Sequence, residues 1–148
     1  MTTLYATVYQ LVNTLKDVDH FKTWIPDCEV AEIKERKDNE QIHYLEINAP
    51  FPVSNRDNYY HFTYENQGEN VMVKFTALPK YGPEKDGIVR IPRASGFWLF
   101  EKINDQQSKV TYQAHTAPGG SIPGWLANSA VVDNPFETLK NLKEHFNH

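Results

Sequence analysis

Six histidines could serve acid–base or metal chemistry in this chain: His20, His43, His61, His115, His145 and His148. No two of them stand at the HExxH spacing that puts both imidazoles on one helix face around zinc. His43, His61 and His115 fall on stretches that alternate like strands, and solvent-facing strand positions are the simpler reading for them. Ser54, Ser95, Ser121 and Ser129 lack the GxSxG context of a nucleophile elbow. Gly119-Gly120-Ser121 lacks the lysine and the preceding parallel strand of a phosphate loop. It reads instead as a hinge, with Ser121 capping a helix and Pro123 in its first turn. Cys28 is the single cysteine, which excludes an internal disulfide and a cysteine-based zinc site. The residue types therefore predict no catalytic group, no metal site and no cofactor.

Two charged positions and the aromatic residues remain. Glu46 shares its alternation face with Ile42 and Tyr44. If that face points inward, Glu46 is a buried acid that touches a ligand; if outward, it is an ordinary exposed residue. Arg56-Asp57 sits where a loop becomes a strand. Its structural reading is a pair that fixes the hairpin by bonding loop backbone; its functional reading is a polar anchor at one end of a pocket. Aromatic residues make up 13% of the chain, enough to line an apolar pocket as well as to fill a core. The stretch Asp57 to Glu65 places Tyr60, Phe62 and Tyr64 on one face and Tyr59, His61 and Thr63 on the other. The first set is the more apolar and is assigned to the pocket. Val110, Tyr112 and Ala114 offer the same on the last strand.

The elements that must position these groups follow from periodicity. A chain of 148 residues with 40% hydrophobic and 23% charged residues suits one soluble domain over 1–148. Its net charge of −4 argues against general nucleic-acid binding, which needs a basic face. No apolar run approaches the ~18 residues of a membrane span, and no signal peptide follows Met1. The chain is expected to be cytoplasmic, or exported if a signal segment lies upstream. Leu4, Val8, Leu11, Val12 and Leu15 predict a helix over Thr3 to Leu15, with a short second helix ending at Trp24-Ile25-Pro26. Six strands follow: Glu29–Lys37, Gln41–Ala49, Asp57–Glu65, Asn70–Leu78, Ile88–Ile103 and Ser108–Ala117. Pro92 and Gly96 predict a bulge or bend in the fifth. A terminal helix is expected from Ser121 to Phe146, facing the sheet with Ile122, Leu126, Ser129, Val132, Phe136, Leu139, Leu142 or Lys143, and Phe146, and kinked at Pro135.

Four segments in this order resemble the START (StAR-related lipid-transfer) domain family in its bacterial form. They are Trp24-Ile-Pro-Asp-Cys28, Ala49-Pro-Phe-Pro-Val-Ser-Asn-Arg-Asp57, Gly87-Ile-Val-Arg-Ile91 with Gly96-Phe-Trp-Leu-Phe100, and Val110-Thr-Tyr112 leading into Pro118-Gly-Gly-Ser-Ile-Pro-Gly-Trp-Leu126. The resemblance covers Trp24 to the C-terminus. It implies an α+β helix-grip fold, a curved antiparallel sheet wrapped around a long C-terminal helix, with an internal tunnel for a lipid or sterol. Ala117 stands where similar chains carry Asp. The arginine of the acid–arginine pair found in some sterol-binding members falls at Phe62, so that pair is not carried over. Only Met1-Thr2 precedes the first predicted helix, so the sheet is expected to lack the family's opening strands.

These readings converge on non-enzymatic binding, and transfer, of a lipid or other hydrophobic small molecule. The expected ligand contacts are Tyr44, Glu46, Tyr60, Phe62, Tyr64, Trp98, Tyr112, Ser129, Val132 and Phe136. The alternative is an aromatase/cyclase enzyme of the polyketide type on the same scaffold, since fold alone does not decide function. A sheet short of its opening strands leaves an edge open, which predicts a homodimer by edge pairing or by exchange of the first helix. Glu29–Lys37 is protected by its own charges; the opposite edge is not.

Overall fold

The period-two alternation between Cys28 and Ala117 forms one sheet. The computed structural model describes residues 1–117, 119, 120, 122, 123 and 135–146, and the elements that follow are those of these residues. The strands are β1 (Thr2–Leu4), β2 (Cys28–Lys37), β3 (Glu40–Ile47), β4 (Arg56–Gln67), β5 (Asn70–Ala77), β6 (Val89–Arg90), β7 (Arg93–Lys102) and β8 (Ser108–Ala117). Helix α1 spans Val8–Lys16, a 3-10 helix spans Val18–Thr23, and helix α2 spans Pro135–His145. The sheet runs β1-β8-β7-β5-β4-β3-β2, and β6 pairs with β4 in parallel; all other pairs are antiparallel.

Three expectations change. The predicted first helix is a strand followed by a helix. Thr2 to Leu4 pairs with Ser108 to Val110, and the helix begins only after Thr7, whose side chain accepts from the Gln10 amide while the Gln10 side chain accepts from the Thr7 amide. That reciprocal cap is a boundary signal visible in the sequence as Thr-x-x-Gln. The predicted fifth strand is two strands, separated at Ile91-Pro92, because proline has no amide to give the ladder. With β1 and β6 the sheet has eight strands rather than six. Of the expected terminal helix, Ser121 and residues 124–134, including Leu126, Ser129 and Val132, lie outside the described residues.

The helices lie on one face of the sheet, here the inner face. Leu11 and Leu15 of α1, Val18 and Phe21 of the 3-10 helix, and Leu139 and Leu142 of α2 share one core with Phe62, Val73, Phe75, Trp98, Phe100 and Val110. Polar ties fix their placement. Lys16 O at the end of α1 accepts from Arg36 and Gln41, the Ala6 carbonyl accepts from the buried Ser108 hydroxyl, and Asn141 of α2 donates to Trp24 O at 2.9 Å. Phe136 does not face the sheet as expected: it is 74% exposed, and Leu139 and Leu142 occupy the buried side of α2.

The outer face is covered over β3 and β4 by the segment between Leu78 and Val89. Tyr81 of that segment packs on Tyr59 with ring centroids 5.0 Å apart.

Candidate functional site

Strand alternation delivers aromatic side chains from four strands to one inner surface. Phe62 and Phe75 are direct cross-strand partners, and so are Trp98 and Tyr112. Their rings stack at 5.3 Å and 4.2 Å. Phe75 and Tyr112 are bridged across β7 at 6.2 Å. The residue between them is Gly96, paired to Phe75 on one side and Ala114 on the other. A Cβ there would lie 2.1 Å from the Gln113 carbonyl oxygen, 2.7 Å from the Phe75 ring and 2.9 Å from the Ala114 Cα, so glycine is what lets β8 and the Phe75 ring come this close to β7. Trp24 closes the band by meeting Trp98 edge-on at 6.0 Å.

This band borders a cavity of about 120 Å³ between the sheet and the helices. Tyr60, Phe62, Phe75, Trp98 and Tyr112 supply the sheet wall with Leu45, Ile47, Ala94, Ala114 and Thr116. Leu15, Phe21, Trp24, Ile25 and Pro26 form the opposing wall, and Ile91 and Thr138 complete it. None of the described lining residues carries a charge.

Four of the expected contacts, Tyr60, Phe62, Trp98 and Tyr112, stand in this wall. Tyr64 shares their face but is buried farther along β4, where its hydroxyl donates to Gln41 and Lys16 lies over its ring. Phe136 is exposed, as described above. Ser129 and Val132 lie outside the described residues. Tyr44 and Glu46 are on the outer face and do not reach the cavity.

The outer cluster explains why Tyr44 and Glu46 are buried. The Tyr44 hydroxyl is 2.5 Å from Asp57 and 3.0 Å from Glu46. Arg90 Nε donates to Asp57 Oδ1 at 2.8 Å, and both side chains are almost fully buried. The remaining Arg90 nitrogens donate to the carbonyls of Pro79, Gly82 and Pro83. Lys85 caps the cluster with a 2.6 Å contact to Glu46. Burial, then the Asp57 and Glu46 carboxylates, push the Tyr44 phenol far above its ordinary value. Arg90 and Lys85 thus anchor the covering loop, and the cluster has a structural job. Arg56 points to the inner face and donates to the carbonyls of Ser54 and Gly119, tying the proline loop to the Pro/Gly hinge. Arg56-Asp57 therefore follows the structural reading of that pair.

Phe21, Trp24, Phe75, Leu45 and Ile47 were not singled out from the sequence as contacts. Phe75 was legible as the aromatic member of the alternating set Val71, Val73, Phe75 and Ala77. Leu45 and Ile47 were not, because each face of β3 carries both polar and apolar residues.

The START domain family model matches residues 3–148. The chain belongs to the START domain family. This START domain is 32% identical over 147 residues to human phosphatidylcholine transfer protein, covering 95% of the chain and 64% of that relative. The chain thus spans just under two thirds of that curated relative's length. A STAR-related lipid transfer protein fragment from Xanthomonas axonopodis has a solved structure with a TM-score of 0.88 and 47% identity, covering 99% of this chain and 83% of that one. The Zhui aromatase/cyclase from a Streptomyces species shares the fold alone, at 16% identity and a TM-score of 0.59 over 98% of this chain and 79% of that one. The family match extends to β1 and α1, beyond the Trp24 limit at which the resemblance was legible. An antiparallel sheet with helices on one face and a C-terminal helix is thus the helix-grip architecture of this family.

Proposed function

We propose that this START domain binds a lipid or other hydrophobic small molecule between its sheet and its helices, and transfers it without chemical change. The uncharged, aromatic-rich lining of the cavity carries this reading. Burial of apolar chain contributes about 0.8 kcal/mol per methylene, so affinity can come from chain length alone. The names of the human and Xanthomonas relatives support a lipid as the ligand class. A cavity of about 120 Å³ is smaller than the ~300–1,000 Å³ usual for ligand pockets, so binding requires it to widen. The sheet wall is held by backbone ladders. The wall built by Phe21, Trp24 and Thr138 has no strand ladder and is held by side-chain packing and isolated hydrogen bonds such as Asn141 to Trp24 O, so it is the one that yields. A cyclase would need acid–base groups in the cavity, and the described lining offers no charged group for that role.

Native mass spectrometry of the purified protein and uptake of a fluorescent fatty acid test the reading. Phe62→Asp should abolish uptake, because a carboxylate in this wall has no cation to pair with. Uptake unchanged by that substitution would refute the assignment of the inner face.

We also propose that the chain forms a homodimer through its sheet edge. β1 covers only Ser108 to Val110 of β8. Thr111 to Ala117 has no strand partner on that side among the described residues, and such an edge recruits another strand. Light scattering after size exclusion at micromolar concentration decides the matter; a monomer would reject it.

A further inference from the structure

Three buried side-chain polar atoms have no hydrogen-bond partner among the described residues: Trp24 Nε1 and both ring nitrogens of His43. Leaving such atoms unpaired costs roughly 1–3 kcal/mol each, so their presence calls for a physical reason. The two residues adjoin one another through a shared neighbour. Trp24 and His43 each meet the ring of Phe21 edge-on, at 5.7 Å and 5.4 Å. Trp24 and Phe21 are in the cavity wall. His43 lies directly behind that wall, fully buried, with its ring 4.4 Å from Phe62 and 6.2 Å from Tyr60. Widening the cavity at Phe21 would bring His43 to its surface.

The chemistry of these atoms restricts what they can take. An indole N–H only donates. A neutral imidazole has one donor and one acceptor nitrogen. Burial pushes the His43 imidazole down to about 3, so it stays neutral at physiological pH and supplies no cation for a carboxylate or phosphate. Neither does the described lining. A ligand cation finds no carboxylate there either. An uncharged hydroxyl matches this set: it accepts from the indole and either donates to or accepts from the neutral imidazole.

We infer that Trp24 and His43 form the polar end of the lipid site and seat the hydroxyl group of an otherwise apolar ligand. This deepens the lipid-binding reading and rests on it. The specificity it predicts is for an alcohol over the hydrocarbon of equal size.

The test uses displacement of the neutral fluorophore N-phenyl-1-naphthylamine by 1-decanol and by undecane, which have the same number of heavy atoms. His43→Leu and Trp24→Phe should each lower the affinity for decanol relative to that for undecane about fivefold to tenfold, the worth of one neutral hydrogen bond. In the wild-type protein, the nitrogen-15 resonances of the His43 ring and the Trp24 indole should move on addition of decanol and stay in place with undecane. This second measurement needs no variant to fold. Binding of both probes with no effect of the substitutions, or with no selective resonance shift, overturns this inference alone. Failure of every probe to bind the wild type overturns the lipid-binding reading and this inference with it.

Discussion

At the scale of single residues, buried polar groups divide into those satisfied by the fold and those it leaves open. Asp57 and Arg90 are satisfied: their ion pair is buried, and Arg90 spends its other donors on three loop carbonyls. Arg90→Met should cost about 3–5 kcal/mol in urea denaturation, because it strands a buried carboxylate. A loss below about 1 kcal/mol would show that water reaches the pair. His43 is the open case. Its folded pKa of about 3 lies below the ordinary 6.5, so the fold favours the neutral ring. Above pH 6.5 both states are neutral and nothing is lost. As pH falls toward 3, the unfolded chain takes up a proton that the folded chain refuses, and stability drops by about 1.4 kcal/mol per pH unit. Between about pH 7.5 and about pH 5.0 the wild type should therefore lose about 2 kcal/mol relative to His43→Leu. Parallel pH profiles for the two proteins would show that His43 is solvated.

At the scale of elements, α2 is held by one narrow side. Leu142 is 1% exposed and Phe136 is 74% exposed. Leu142→Ala should cost about 2–5 kcal/mol, whereas Phe136→Ala should stay within about 0.5 kcal/mol. Thermal melts of the two variants compare them directly, and equal losses would place Phe136 in the core after all. β7 is constrained differently. Gly96 is the gap that lets Phe75 stack beside Tyr112. Gly96→Val should both destabilise the sheet and perturb the aromatic band, seen as a changed near-ultraviolet circular dichroism spectrum. An unaltered spectrum with native stability would mean that the backbone there yields freely.

At the scale of the whole molecule, the two sheet ends differ in protection. β2 carries Glu29, Glu32, Lys34, Glu35, Arg36 and Lys37, and charge of this kind discourages pairing. Among the described residues, the side of β8 away from β7 is paired only at Ser108 to Val110. Amide hydrogen exchange at Thr111 to Ala117 should therefore slow as protein concentration rises, while exchange in β2 stays constant. Concentration-independent exchange at both ends would reject association through the β8 edge. Among the described residues no helix is long and apolar enough to cross a membrane. The cavity wall between sheet and helices is apolar.

The sequence by itself determined the hairpins and the family. Period-two alternation and turn residues such as Asp38-Asn39 and Asn66-Gln67-Gly68 located β2 to β5 and β8 closely, because those signals are local and each strand is long enough to repeat them. It also singled out Tyr60, Phe62, Trp98 and Tyr112, four aromatic residues on strands whose two faces differ clearly. Only the tertiary structure decided β1, a three-residue strand too short to show a period and stabilised by its partner β8. Only it decided the orientation of β3. Gln41 and His43 share a face with Leu45 and Ile47, while Glu46 shares the other with Ile42 and Tyr44, so alternation alone is neutral. Arg90 and the loop it holds cover the outer side, and they bury Tyr44 and Glu46 there. That choice sends His43 inward, where strand pattern alone had read it as a solvent-facing position, and it is a choice made by residues distant in sequence.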